Sequence, residues 1–127
     1  MHAPITALYA GLLALLFLFL AARVVMVRRS TSIGLGDGGN AVLLTRIRIH
    51  GNAAEYVPLA LLLMLILEVN GASARRLHWL GIVLVIGRIA HAQGLSQSSG
   101  TTPGRLVGNV LTWGVMLFAA VASIRSY

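Results

Sequence analysis

The feature that most constrains this chain is an apolar segment from residue 5 to residue 22 that contains no charged side chain. A helix needs about 20 apolar residues to cross a bilayer, and the apolar character continues past Arg23 to Val27. The residues before the segment carry no Lys or Arg, and the run is long for a signal sequence. We therefore expect a retained membrane helix rather than a cleaved signal peptide.

Three further apolar segments follow at residues 53–69, 77–95 and 106–124, with polar connections at 28–40, 70–73 and 96–102. The 127 residues are 57% hydrophobic and 10% charged, whereas soluble domains carry roughly 25% charged residues. Only helices or closed barrels satisfy the backbone in lipid, and these segments lack the alternation of barrel strands. The sequence therefore predicts an all-α, integral membrane four-helix bundle. We expect one domain over residues 1–127, with helices at about 4–27, 40–70, 76–95 and 103–125.

The arginines are unevenly distributed between the two sides of this bundle. Basic residues number 10 against 3 acids, for a formal net charge of +7. The side that holds the first and third connections has the larger set: Arg23, Arg28, Arg29, Arg46, Arg48, Arg88 and Arg105. The other side has only Arg75, Arg76 and Arg125. Because cytoplasmic loops carry the excess of basic residues, we expect both termini to face away from the cytoplasm.

Charge and composition also narrow the classes of partner. The positive balance favours anionic ligands or an anionic membrane surface. Nucleic acid is not expected, because the arginines lie between and inside apolar runs rather than on a soluble basic face. The 4 histidines form no pair four residues apart and the chain has no cysteine, so we expect no metal site.

A stripe of polar residues opens the second helix and marks a candidate site. Arg48, Asn52 and Glu55 are spaced four and three residues apart, which places them on one helical face. Polar groups at membrane depth are costly and are functional candidates for that reason. The alternative interpretation is structural, with Arg48 and Glu55 forming an ion pair that only stabilises the bundle. Pro58 lies one turn further and is expected to kink this helix.

The third and fourth helices add polar residues on the same membrane side. Arg88 and His91 are three residues apart, and Arg105 lies in the first turn of the fourth helix. Together with the stripe they suit a small anionic ligand that also bears an amino group, because arginines bind carboxylates through paired hydrogen bonds. Structural alternatives remain open here too. His91 can be a packing residue, and Arg105 can extend to lipid headgroups.

Three motifs carry a family resemblance. In chain order they are Arg48-x-x-x-Asn52-x-x-Glu55-Tyr56-x-Pro58, Arg88-x-x-His91 and Pro103-Gly104-Arg105. Together they resemble the helix-two signature, the helix-three motif and the start of helix four in the MAPEG family (membrane-associated proteins in eicosanoid and glutathione metabolism). The resemblance covers nearly the whole chain, and the residues before the second helix are similar to those of bacterial members.

This resemblance implies a homotrimer in a bacterial inner membrane that binds glutathione, as a co-substrate, between subunits near the cytoplasmic face. The glutathione-binding residues that it implies are Arg48, Asn52, Glu55, Tyr56, Arg88 and His91, with a looser match at Arg23. It makes Arg105 the catalytic residue, because a nearby cation favours a thiolate over a thiol. The implied partners are glutathione, membrane lipids and a hydrophobic electrophile or lipid hydroperoxide.

Two departures from the family pattern keep a second function open. Many members have a tyrosine four residues after the helix-three His91, where this chain has Leu95. The prostaglandin synthase branch has a serine after the helix-four arginine, where this chain has Leu106. The predicted function is a membrane-bound glutathione transferase or peroxidase-like protein. The alternative is a non-catalytic scaffold that binds glutathione or lipid, whereas a polar cluster on one side only disfavours a transporter.

Overall fold

The computed structural model describes residues 2–97, 100 and 102–127, and it contains four helices among them. They are α1 (Pro4–Thr31), α2 (Ala41–Val69), α3 (Ala74–Gln97) and α4 (Pro103–Arg125). Each is long and apolar enough to cross a membrane, so the prediction of an all-α chain with four membrane helices is confirmed. Residues 98, 99 and 101 of the predicted 96–102 connection lie outside the described residues.

Helix α1 continues beyond its predicted end at residue 27, through two arginines, to Thr31. Ser32 ends it in a left-handed conformation with a φ of 56°, and its N–H donates to the Arg28 carbonyl. The Arg28 side chain donates from Nη1 to the carbonyl oxygens of Ile33 and Gly36, at 3.1 and 2.9 Å. The extra turn forms because Arg28 holds the start of the next connection against the helix end.

Two of the helices that carry the polar residues, α2 and α4, begin at side-chain caps. Oδ1 of Asn40 accepts a hydrogen bond from the Leu43 N–H at 2.9 Å at the start of α2. Oγ1 of Thr102 accepts from the Arg105 N–H at 3.3 Å at the start of α4, and Pro103 takes the first helical position. Such caps satisfy backbone donors that have no partner within the helix. The Thr102 cap fixes where Arg105 enters the bundle.

The larger buried hydrophobic cluster among the described residues lies toward the side away from this polar end. At that side Glu68 of α2 accepts hydrogen bonds from the Ile5 and Thr6 N–H groups, at 2.9 and 2.7 Å. A carboxylate is favourable there because the first N–H groups of a helix carry partial positive charge. The buried residues of this cluster are Tyr9, Leu13, Ala60, Met64, Leu67, Leu77, Leu80, Leu84, Val115 and Ala119. A second, smaller buried cluster comprises Leu20, Ile49, Ala53, Ala92 and Leu95.

Helices α3 and α4 approach each other at glycines. The four glycines at this contact are Gly87, Gly94, Gly104 and Gly108. A Cβ atom at Gly108 would lie 2.5 Å from the carbonyl oxygen of Gly87 and 2.6 Å from the backbone nitrogen of His91, and one at Gly94 would meet the backbone nitrogen of Arg105. Small residues four apart allow this approach between membrane helices. The contact sets the relative position of His91 and Arg105.

We expect Gly108→Ala to lower the unfolding temperature in detergent, because its Cβ would meet backbone atoms that cannot rotate away. Overpacking of this kind costs about 1–3 kcal/mol. Gly114→Ala on the same helix is the matched control, since a Cβ there has no atom within 4 Å. The control should unfold at the wild-type temperature or above it, because Ala favours helix over Gly. Equal losses in both variants would contradict the close contact of α3 and α4.

Candidate functional site

A polar cavity of about 180 Å³ opens between α2, α3 and α4. Its wall contains four of the residues predicted from the sequence, namely Arg48, Asn52, His91 and Arg105. The remaining wall residues are Leu44, Thr45 and Leu95. The structure therefore brings side chains from three helices to one place, and their role in binding a ligand stays a prediction.

Arg88 lies next to this polar cavity and is only 2% exposed. It donates from Nη2 to Oδ1 of Asn52 at 2.5 Å and from Nη1 to Oγ1 of Thr112 at 3.4 Å. Both partners are neutral, and within the described ranges no carboxylate pairs with Arg88 and its Nε has no hydrogen-bond partner. Burying a cation among neutral groups is costly. An anion in the adjoining cavity would lower that cost.

His91 is 2% exposed and lies in the wall of the polar cavity. Its Nδ1 has no hydrogen-bond partner in the part of the chain that the structure describes. Buried polar atoms are usually hydrogen-bonded, so an unpaired ring nitrogen does not fit a satisfied packing histidine.

Arg48 and Glu55 form an ion pair along α2, with 3.6 Å between Nη1 and Oε1. This is the structural pairing that the sequence left open, yet Arg48 also lines the polar cavity. The two side chains remain 57% and 53% exposed. Charged groups left uncovered within a membrane-capable helix call for a further partner, because lipid solvates them poorly.

Tyr56 and Arg23 lie outside the polar cavity within the single chain. The Tyr56 ring faces Trp113 on α4, with 6.4 Å between the ring centroids. The Arg23 guanidinium lies 5.7 Å from the centroid of the Phe19 ring, and it borders a separate cavity of about 510 Å³ between α1 and α3. Neither placement tests the predicted binding role of these residues, which stays a prediction.

Three residues beside the site were not predicted from the sequence. Thr112 accepts from Arg88 and donates to the Gly108 carbonyl at 2.8 Å. It follows Arg105 by seven residues, which is the same face of a helix, and that spacing was the available signal. Leu44 and Thr45 precede Arg48 by four and three residues. They line the cavity because this spacing places them on the same face of α2 as Arg48.

Comparison with known proteins gives the family. A model of the MAPEG family matches residues 6–125. The chain belongs to the MAPEG family. Two relatives bear the name "Inner membrane protein YecN", from Escherichia coli strain K12 and from Escherichia coli O6:H1 strain CFT073. Each is 41% identical to this MAPEG protein over 120 residues, which cover 94% of this chain and 90% of the relative.

Membership confirms the resemblance that the three motifs carried. It suggests a glutathione-related function, whereas the name of the relatives states no activity. That name places the relatives in the inner membrane, in agreement with the four membrane-capable helices of this MAPEG protein. Across the described residues no three His, Asp or Glu side chains gather where they could hold a metal ion.

We expect Asn52→Leu to destabilise the bundle, because it removes the acceptor of the shortest Arg88 hydrogen bond. Loss of a hydrogen bond to a charged group costs about 1.5–3 kcal/mol. Asn52→Asp is the matched control, since it keeps an acceptor of similar shape and adds a compensating charge. Thermal unfolding in detergent should show a loss for the leucine variant and none for the aspartate variant. A leucine variant as stable as wild type would mean that Arg88 does not depend on Asn52.

Proposed function

We propose that this MAPEG protein is a membrane-bound glutathione transferase or peroxidase-like enzyme that acts on hydrophobic electrophiles or lipid hydroperoxides. The supporting observation is the positive charge around the polar cavity. Arg48 and Arg105 line it, and buried Arg88 contacts Asn52 in its wall. Glu55 is the acid that pairs with Arg48, so the group of arginines exceeds the carboxylates that face it. An anionic ligand would restore the balance.

The chemical groups of glutathione match this set of side chains. The tripeptide carries two carboxylates, one ammonium group and a thiol. Arginines bind carboxylates through two parallel hydrogen bonds, and Glu55 offers a carboxylate for the ammonium group. Oδ1 of Asn52 is engaged by Arg88, which leaves the amide N–H₂ of Asn52 as a donor toward a ligand. His91 adds a ring nitrogen in the same wall.

Arg105 is the residue that we propose to act on the thiol. It lies at the start of α4, where the Thr102 cap and the close α3–α4 contact hold its backbone beside the cavity. A cation near a thiol stabilises the charged form, which lowers the pKa of the thiol and raises the thiolate fraction. The thiolate, and not the thiol, is the nucleophile.

The membrane supplies the second substrate in this proposal. An apolar electrophile partitions into lipid, and the thiolate sulfur then forms a bond to its electrophilic carbon while the leaving group departs with the bonding electrons. With a lipid hydroperoxide the sulfur attacks the terminal oxygen, which gives the lipid alcohol and a glutathione sulfenic acid. A second glutathione converts that product to the disulfide and water.

The cavity also supports assembly of several copies. Its volume of about 180 Å³ is below the roughly 300–1,000 Å³ of most small-molecule sites. Arg48 and Glu55 are also more than half exposed on α2. We propose a homotrimer in which a neighbouring subunit covers these side chains and enlarges the site, with Arg23 as a contribution from the neighbour. The arginine distribution supports an orientation with the cavity toward the cytoplasm.

A second candidate function is non-catalytic binding of glutathione or lipid by a membrane scaffold. The observation that favours it is Leu95, which is 7% exposed and forms part of the cavity wall. Where many family members offer a hydroxyl, this wall is apolar. Leu106 is 56% exposed and lies outside the wall, so its substitution removes less from the cavity.

We expect Arg105→Ala to slow conjugation of glutathione with a chloronitrobenzene at neutral pH while leaving glutathione binding nearly unchanged. The deficit should shrink as the pH rises, because an unperturbed thiol ionises near pH ~8.5 without help. The measurements are the conjugation rates between about pH 6 and about pH 9 and the ultraviolet absorbance of the bound thiolate. Arg105→Lys should retain part of the rate, because it keeps a positive charge.

Arg75→Ala is the matched control, since Arg75 is an exposed arginine at the other end of the bundle. Equal conjugation rates for wild type and Arg105→Ala at every pH would contradict the catalytic role. Binding of glutathione without conjugation of any electrophile, in wild type and variant alike, would favour the scaffold.

We expect native mass spectrometry in mild detergent to show three copies of the chain. The physical reason is that Arg48 and Glu55 remain exposed on a membrane-capable helix unless another subunit covers them. The double variant Arg48→Leu/Glu55→Leu, which removes both charges, should shift the population toward smaller species if the pair is specific to the interface. A wild-type protein that is stable as a monomer would contradict an intersubunit site.

A further inference from the structure

An apolar groove follows the outer faces of α3 and α4 on the membrane side opposite the polar cavity. It has a volume of about 510 Å³, and its lining includes Arg76, Trp79, Val110, Gly114 and Phe118. A second cavity of about 520 Å³ shares Arg76 and Phe118 with it and continues to Arg125 and Ser126. We call the two together the α3–α4 groove. It does not overlap the site proposed for glutathione.

Two arginines border the outer end of this groove. Arg76 lies in the first turn of α3 and Arg125 in the last turn of α4, and both line the same cavity. Neither has an ion-pair or hydrogen-bond partner in the described ranges. Trp79, which is 63% exposed, lies one turn further in. Tryptophan is enriched at headgroup depth, so the arginines are placed at the membrane surface.

The inner part of the groove is apolar and long enough for one lipid chain. Along α4 its lining runs from Val110 to Phe118, which is roughly 12 Å at 1.5 Å per residue. One leaflet contributes about half of a hydrocarbon core of ~30 Å, so the lengths are comparable. Gly114 leaves the middle of the groove open, because a Cβ there would have no atom within 4 Å.

We propose that the α3–α4 groove binds one anionic phospholipid, with an acyl chain along Gly114 and the phosphate between Arg76 and Arg125. Charge complementarity decides the class of ligand. Two unpaired guanidinium groups bind phosphate and disfavour the ammonium group of a zwitterionic lipid. The open channel at Gly114 accounts for a chain, which a free phosphate ion does not need. This lipid site is independent of the function proposed for the polar cavity.

Binding of the acyl chain is tested with Gly114→Leu, whose side chain would fill the open channel of the groove. Gly11→Leu is the matched control, because Gly11 is also a helical glycine with no atom within 4 Å of a Cβ and lies on α1, away from the groove. Native mass spectrometry with added dioleoyl phosphatidylglycerol should show one tightly bound lipid per chain in wild type and in the control. Gly114→Leu should lose that lipid. Wild-type lipid binding by Gly114→Leu would overturn the proposal.

Binding of the phosphate headgroup is tested by comparing Arg76→Gln with Arg75→Gln. The two arginines are neighbours, and only Arg76 lines the groove. Arg76→Gln should weaken phosphatidylglycerol binding about tenfold, and adding Arg125→Gln should weaken it further; tenfold corresponds to about 1.4 kcal/mol. Arg75→Gln should bind as wild type does, and wild type should prefer phosphatidylglycerol to phosphatidylcholine. Equal losses at both positions, or no preference between the lipids, would show only general attraction to basic residues and would overturn the proposal. Unfolding temperatures measured without lipid check that every variant is folded.

Discussion

The buried guanidinium of Arg88 is the interaction on which the polar end of this bundle depends. A charge inside a membrane protein must be compensated, and here α2 and α4 supply only neutral oxygens, from Asn52 and Thr112. Those two bonds tie three helices together around one cation. They also engage the acceptor oxygen of Asn52, a residue of the cavity wall. The structural role of Arg88 and the chemistry proposed for the cavity therefore have one physical origin.

The acids of the chain explain why this charge stays unbalanced. Glu68 accepts the first N–H groups of α1 at the opposite end of the bundle. Asp37 accepts from the Gly39 N–H within the first connection, and Glu55 pairs with Arg48 on the surface of α2. With 3 acids against 10 basic residues, none of the three pairs with Arg88. An anion from outside the chain is the simplest compensation.

The sequence predicted the parts of this structure that the bilayer dictates. Long apolar segments gave the four helices, and the cost of polar groups in lipid identified Arg48, Asn52 and His91 before their positions were known. Packing between helices was not predictable in the same way, because periodicity shows the faces of one helix and not which faces meet. The glycine contact of α3 with α4 and the added turn of α1 beyond Arg28 both depend on such contacts.

The most direct test of the central claim is calorimetry of glutathione binding to the purified protein, compared with glutathione whose glycine carboxylate is blocked as an ethyl ester. If the arginines around the cavity bind the carboxylates of glutathione, the protein should distinguish the two ligands. The account predicts measurable binding of glutathione and binding of the ester that is weaker by about tenfold, or about 1.4 kcal/mol. Equal affinity for both ligands, or no binding of either, would contradict it.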